Sequence, residues 1–384
     1  MSAKPPFIPV LRPLYGEEEK EAVCKVLERG WTGSGPEVEA FEAEFAAFLG
    51  VEAWQVVATS SCTAALHLAL LLLELNSESR VGVPAITFAS TALAVHHRGA
   101  LVRYVDVAPE TLCVDRCPPT RAKGLPEHAA LLPVHLAGHP CDMWRIWGQA
   151  AGSRTAIIED CAHAVGTRDE AGVHVGTSPR SLASCWSFHA VKNIGAGDGG
   201  AVLVHDPDHA ARLRRLRWCG IDLDTHARTQ AGAYRWAYEV IEVGYKYQMT
   251  ELAAAVARAQ LRRLPELNAR RQEVADAYQG AFSTLDLVQS PQQTPHGETR
   301  SNHLFIIRVP RDRRVGLIEH LSGLGVGTSV HYKPLPQHRA LECEFAEIDY
   351  ALATWPLILS LPMHAALSDD DVDRVIDGVR SFFA

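Results

Sequence analysis

Ser184-Cys-Trp-Ser-Phe-His-Ala-Val-Lys192-Asn-Ile-Gly195-Ala-Gly197-Asp-Gly199-Gly200-Ala-Val-Leu-Val-His205 contains a glycine run that matches G-x-G-x-x-G, the fingerprint of dinucleotide-binding folds. That fingerprint needs a strand before it and a helix after it, because helix N–H groups must meet the pyrophosphate. The residues after these glycines, 201–205, form a short apolar run that reads as a strand. A nicotinamide or flavin oxidoreductase is therefore not indicated. The glycines instead shape a tight loop that returns the chain to its sheet and brings Lys192 to the sheet edge.

Working outward, short apolar runs alternate with longer helical stretches, the pattern of an α/β fold with a mostly parallel sheet covered by helices. Seven strands are expected, at 55–58, 80–83, 101–105, 130–134, 155–158, 184–188 and 201–205. Helices are expected at 38–49, 63–75 and 251–282; Pro265 should kink the last or divide it in two. Gly35-Pro36 opens the first, with proline in the favoured first turn. Residues 290–299, rich in Gln, Pro and Gly, read as a surface loop. The expected division is an N-terminal segment and large domain over 1–250, then a smaller α+β domain over 251–384.

Composition supports an enzyme-sized globular protein: 384 residues, 47% hydrophobic. A net charge of −8 offers no basic surface for nucleic acid. The proline-broken start, MSAKPPFIPVLRP, lacks an apolar signal core, and the longest apolar run, around 64–75, is too short to cross a bilayer. No membrane association and a cytoplasmic location are expected. Nine scattered cysteines without a C-x-x-C pair suggest neither a disulfide framework nor a zinc cage. Cys113 and Cys117 are the nearest pair, but no histidine cluster adjoins them, and no metal is expected.

Three stretches place chemistry at one sheet edge. Thr155-Ala-Ile-Ile-Glu-Asp160-Cys-Ala-His163 ends a strand in carboxylates and an imidazole, where open α/β sheets bind ligands. A buried carboxylate needs a cationic partner or several donors, and the protonated ring nitrogen of pyridoxal 5'-phosphate (PLP) is one such partner. Alone, the same pair also suits a helix cap or a metal ligand. Lys192 follows the next strand, within reach of a ring aldehyde with which its amine can form a Schiff base; burial would lower its pKa for work as nucleophile and base. Alone, it also reads as a surface lysine. Thr59-Ser-Ser-Cys62-Thr63 begins a helix, whose free N–H groups suit a phosphate or a plain Ser/Thr cap equally well. Phe88, after Val83-Pro-Ala-Ile-Thr, could cover a planar cofactor or be core.

Taken in order, Ser-Cys-Thr-Ala-Ala-Leu, Pro-Ala-Ile-Thr-Phe, Glu-Asp-Cys-Ala-His-Ala, Ser-Phe-His-Ala-Val-Lys-Asn and Gly-Asp-Gly-Gly-Ala resemble the DegT-type nucleotide-sugar aminotransferases. The likeness runs from Gly30-Trp-Thr-Gly-Ser-Gly-Pro to His331-Tyr-Lys-Pro-Leu and Leu361-Pro-Met. It implies the PLP fold type I architecture and a homodimer with shared active sites. PLP would alternate with pyridoxamine 5'-phosphate, L-glutamate would donate the amine, and a nucleotide-linked keto sugar would accept it.

Carried over residue by residue, Lys192 resembles the lysine that bonds the cofactor, Asp160 the partner of the ring nitrogen, and His163 the group near the phenolic oxygen. Cys62, Thr63 and Ser187 match phosphate-binding positions, Phe88 the ring-covering one, and Asn193 a cofactor-binding one beside the lysine. His331 and Tyr332 match substrate contacts, and would also serve as ordinary core or surface groups. Where many members have Gly-Tyr-Asn-Tyr-Arg-Met, this chain has Gly244-Tyr-Lys246-Tyr-Gln248-Met. The Asn position normally reaches the partner subunit's phosphate, a task Lys246 could take with a formal charge if it is not simply exposed. Asp198 stands where glutamate is commoner. The chain is most similar to the UDP-4-amino-4-deoxy-L-arabinose aminotransferase branch, which favours a 4-keto sugar. Two rivals remain. One is a PLP-dependent sugar dehydratase, whose members carry His at the lysine position or add an iron–sulfur cluster; the other is a non-catalytic binding regulator.

Overall fold

The computed structural model describes residues 6–116, 128–222, 238–283, 285, 299–341 and 347–384. Most of the expected 290–299 loop, and Cys117, lie outside the described residues.

Seven strands form one sheet in the order β1-β7-β6-β5-β4-β2-β3. They are β1 (Val56–Thr59), β2 (Arg80–Pro84), β3 (Leu101–Val105), β4 (Ala130–Leu131), β5 (Ala156–Asp160), β6 (Ala183–Ser187) and β7 (Gly200–Leu203). Only β7 runs antiparallel, against both β1 and β6. The fold is thus the α/β class that the alternating pattern predicts, and the glycine run does lead into a strand. β4 is shorter than expected because Pro133 has no N–H to add to the ladder. Its carbonyl still accepts from Asp160 N–H at 2.8 Å, and pairing resumes at Val134.

Helices α1 (Glu17–Arg29), α2 (Pro36–Leu49), α3 (Cys62–Leu70), α4 (Ala89–His97), α5 (Met143–Ala150) and α6 (Pro207–Leu216) accompany the sheet. Leu66, Leu68 and Leu70 of α3 are buried with Val81, Leu131 and Ile158 of the strands in one apolar cluster. α3 stops at Leu70, five residues short of the expected end.

The long helix α7 (Glu251–Phe282) is continuous through Pro265, so the expected division does not occur. A proline inside a helix costs about 3 kcal/mol, and long-range contacts on both sides of it offset that. Arg258 pairs with Glu37 and Glu44, Arg263 with Glu19 at 2.9 Å, and Asn268 Nδ2 donates to Val165 O at 3.2 Å. Beyond it, β8 (Phe305–Arg308) pairs with β9 (Ile358–Leu361), flanked by α8 (Arg311–Gly323) and α10 (Asp369–Phe383), with α9 (Asp349–Thr354) between. β8, β9, α8 and α10 share an apolar cluster with Val274, Tyr278 and Phe282 from the end of α7. We propose that a second unit starts at residue 251. Residues 6–10 lie against that unit: Ile8 N–H donates to Gly325 O at 2.9 Å, and Met363 N–H to Val10 O at 2.9 Å.

Candidate active site

A cavity of about 390 Å³ opens at the carboxyl ends of β5 and β6. Nine residues singled out from sequence line it: Cys62, Thr63, Phe88, Asp160, His163, Ser187, Lys192, His331 and Tyr332.

Asp160 is buried at the end of β5. Its Oδ2 accepts from Thr91 Oγ1 at 2.9 Å and its Oδ1 from Ala162 N–H at 3.1 Å. Thr91 spends its only proton there, so Thr87 donates to Thr91 Oγ1 across 3.1 Å. Burial pushes the Asp160 carboxyl above its usual range, against the pull of these donors and of the Lys192 charge. It forms no ion pair among the described residues, which leaves room for a cationic N–H. Its neighbour Glu159 points elsewhere: it accepts from Ser181 Oγ at 2.5 Å and meets His135 Nε2 at 3.0 Å. His135 Nδ1 accepts from Cys141 N–H, so His135 donates to Glu159, and the pair is internally satisfied.

Lys192 follows β6. Burial lowers its pKa to about 8, with Asp160 and the Cys62 thiol opposing. His163 Nδ1 accepts from Ala137 N–H at 3.2 Å, so the neutral ring carries its proton on Nε2. Burial, together with the Lys192 charge, holds His163 well below the usual imidazole value. Its ring lies 4.3 Å from that of His303.

The start of α3 forms another wall. Ser61 Oγ caps Ala64 N–H at 3.2 Å, and the N–H groups of Cys62 and Thr63 find no acceptor among the described residues. Thr63 Oγ1 meets Ser90 Oγ at 2.7 Å. Gly200 lets β7 approach this turn: a Cβ there would stand 2.5 Å from Ser61 C and 2.6 Å from Cys62 N. Burial keeps the Cys62 thiol neutral by raising its pKa well above normal. The outer wall holds Phe88, 58% exposed, with its ring 6.1 Å from that of Tyr332. His331 Nδ1 meets Ser360 Oγ at 2.8 Å, and burial brings His331 down to about 4.

PLP suits these groups. Open helix N–H groups and Ser187 match a phosphate, the incompletely paired Asp160 matches a pyridinium N–H, His163 Nε2–H matches a phenolic oxygen, and a desolvated amine matches an aldehyde.

Two expected cofactor residues stand apart. Asn193 lies behind the cavity, donating to Asn268 Oδ1 at 2.8 Å and Ser301 O at 2.7 Å. Lys246 rests with Nζ 3.4 Å from the Trp218 ring centroid and 3.3 Å from Gln248 Oε1, away from this chain's own cavity. Sequence reasoning missed Leu11, Thr87, Thr91 and His303, all on the wall. The one available signal for His303 was a histidine just before an apolar run, Leu-Phe-Ile-Ile, which is too common to single out.

Comparison with known proteins gives consistent relatives. The model of the DegT/DnrJ/EryC1/StrS aminotransferase family matches residues 13–380. The spore coat polysaccharide biosynthesis protein SpsC of Bacillus subtilis (strain 168) is 36% identical over 384 residues, covering 97% of this chain and 96% of SpsC. Among solved structures, the aminotransferase TlmJ from Streptoalloteichus hindustanus superposes with a TM-score of 0.89 at 35% identity, covering 98% of each chain. Spr1654 from Streptococcus pneumoniae, in its PLP-form, gives 0.86 at 27% identity over 99% of this chain and 98% of its own.

Proposed function

The chain belongs to the DegT/DnrJ/EryC1/StrS aminotransferase family, a PLP-dependent sugar aminotransferase by fold and kinship, and from that premise we propose its reaction: transfer of the amino group of L-glutamate to a nucleotide-linked 4-keto sugar. It works in the cytoplasm as a homodimer whose two active sites are shared. The observation that carries the reading is the convergence of Lys192, Asp160, His163 and the open start of α3 on one cavity.

Bound PLP supplies an electrophilic aldehyde carbon and a ring that takes up the electron pair freed at the donor's α-carbon. The chain's residues do the rest. Lys192, at about 8, is an amine often enough near neutrality to serve as the nucleophile toward such a carbon, and its free Nζ would take the α-proton of the donor. Asp160 holds the proton of the ring nitrogen, which favours electron withdrawal. His163 donates from Nε2 to the ring oxygen. The Cys62 and Thr63 N–H groups and the Ser187 hydroxyl hold the phosphate. Phe88 would cover the ring, His331 and Tyr332 would meet the sugar, and Asn193 supports the site from behind.

Incubation with L-glutamate and a panel of nucleotide-linked 3-keto and 4-keto sugars tests this. Equal yields of 2-oxoglutarate and aminated 4-keto product are expected. Turnover of 3-keto sugars alone would overturn the 4-keto reading, and cofactor binding without any sugar turnover would overturn the transfer itself.

Lys246 provides a test of site sharing. We propose that it leaves Trp218 to meet the phosphate held by the partner subunit, exchanging a cation–π contact for a charge-assisted hydrogen bond. Lys246→Ala should weaken PLP binding about tenfold. Mixing Lys192→Ala and Lys246→Ala subunits should then restore activity, because one site of each mixed dimer keeps both lysines. No restoration, or unchanged PLP affinity, would count against it.

A further inference from the structure

We propose that His303 is a positioning residue for Lys192: its Nε2 lone pair receives a hydrogen bond from Nζ when the amine is unbonded, along a direction set from behind by Asn193 and Asn268. The proposal rests on the reading of Lys192 as the amine that works on PLP.

The donor and acceptor roles follow one another without freedom. Val165 O is a backbone carbonyl and accepts only, so Asn268 presents Nδ2 to it and Oδ1 to Asn193. Asn193 Nδ2 then donates both to Asn268 Oδ1 and to Ser301 O, at 2.8 and 2.7 Å. Its Oδ1 is left as an acceptor toward His303 Nδ1, 3.1 Å away, so His303 carries its proton on Nδ1. Nε2 is therefore a lone pair, and it lies 3.5 Å from Lys192 Nζ. Two amides anchored to backbone carbonyls thus fix both the tautomer and the aim of a buried imidazole.

Cationic or ionisable groups surround that ring: Lys192 after β6, His163 after β5, Arg271 on α7 and His331 after α8. With burial, they hold His303 well below the usual imidazole value. A ring kept neutral cannot retain the proton that Lys192 has taken. It can only orient the ammonium, so the proton stays on Nζ for delivery. A hydrogen bond to the ammonium also favours that form, so losing His303 should lower the Lys192 pKa further.

The test uses the PLP-free protein as well as the loaded enzyme. The rate at which acrylonitrile modifies Lys192, followed by peptide mass spectrometry across pH, reports its titration, with an expected wild-type midpoint of about 8. His303→Leu should move the midpoint down by about one unit, the value of one charge-assisted hydrogen bond. His303→Gln, which keeps an acceptor, should restore most of it. Asn193→Asp turns the two bonds that Nδ2 donates into oxygen–oxygen contacts, but in folded protein it should move the midpoint up, since a carboxylate behind Nδ1–H makes Nε2 a stronger acceptor. In the loaded enzyme His303→Leu should cut kcat about 100-fold with the donor KM unchanged.

If His303→Leu fails to fold, Asn193→Asp still decides, because only His303→Gln is expected close to the wild-type midpoint. A midpoint that stays at the wild-type value in every folded variant overturns the proposal. Visible absorption of lysine-bound cofactor persisting in Lys192→Ala overturns instead the reading on which it rests, whatever His303 does.

Discussion

Lys192→Ala protein supplied with PLP should lack the visible absorption of the lysine-bound cofactor and transfer amino groups at least ~10⁴-fold more slowly than wild type. The size follows from two losses at one atom. In the proposed reaction Nζ is both the covalent anchor and the base that takes the α-proton, and general-base removal alone is worth about 10²–10⁴. Three neighbours in the cavity are poor substitutes: the Cys62 thiol is held neutral by burial, and His163 and His303 are both held well below the usual imidazole value. Added methylamine should recover part of the proton-transfer rate but not the spectrum of the covalent link. Spectra of the purified variant with and without PLP, followed by single-turnover assays with glutamate, check both halves. A wild-type visible band in the variant would place the link on another side chain.

Asp160→Asn should bind PLP but turn over about 10²–10³-fold more slowly, in both half-reactions. The amide matches the carboxylate in shape yet cannot hold a pyridinium proton. With its oxygen kept toward Ala162 N–H, the amide presents NH₂ to Thr91, whose hydroxyl must turn from donor to acceptor and pass its proton to Thr87. The PLP-free protein should show an opposite trend. Burial raises the folded-state pKa of Asp160, so the folded chain binds that proton more tightly than the unfolded chain does. Its contribution therefore favours folding as pH falls toward the ordinary carboxylate range, and is lost as pH rises through the folded value. Thermal melts of PLP-free wild type should carry this dependence and those of Asp160→Asn should not. Equal catalytic rates in the two proteins would remove Asp160 from the site.

Much of this was legible in the sequence because the relevant signals are local. A strand after the glycine run, rather than a helix, separated this fold from a dinucleotide-binding one. The ends of β5 and β6 then put Asp160 and Lys192 at one sheet edge through strand pairing alone. His303 was not legible, because its meaning depends on Asn193 and Lys192, 110 and 111 residues earlier. Asn193 read as a cofactor residue by its place beside the lysine, and the polar row that holds it came from the folding of α7 over it. Pro265 read as a kink or a break because sequence shows the missing N–H but not the contacts of Arg258, Arg263 and Asn268 that keep the helix whole. Likewise Lys246 carried its charge in the sequence, while its seat on Trp218 required the chain to turn back on itself.

The polar row beneath Lys192 joins residues on either side of position 251. Val165 and Asn193 meet Asn268 and Ser301, and Ser301 Oγ donates to His163 O at 2.6 Å, in so little space that a Cβ on Gly138 would stand 2.2 Å from Ser301 Oγ. Swinging the second unit outward would break each of these bonds, at about 1 kcal/mol apiece, and strand buried polar atoms. Clamshell opening is thereby a costly route for substrate traffic. The route that leaves these bonds intact is from the solvent side, past exposed Phe88 and Asp198, through a doorway whose far wall is held by the polar row.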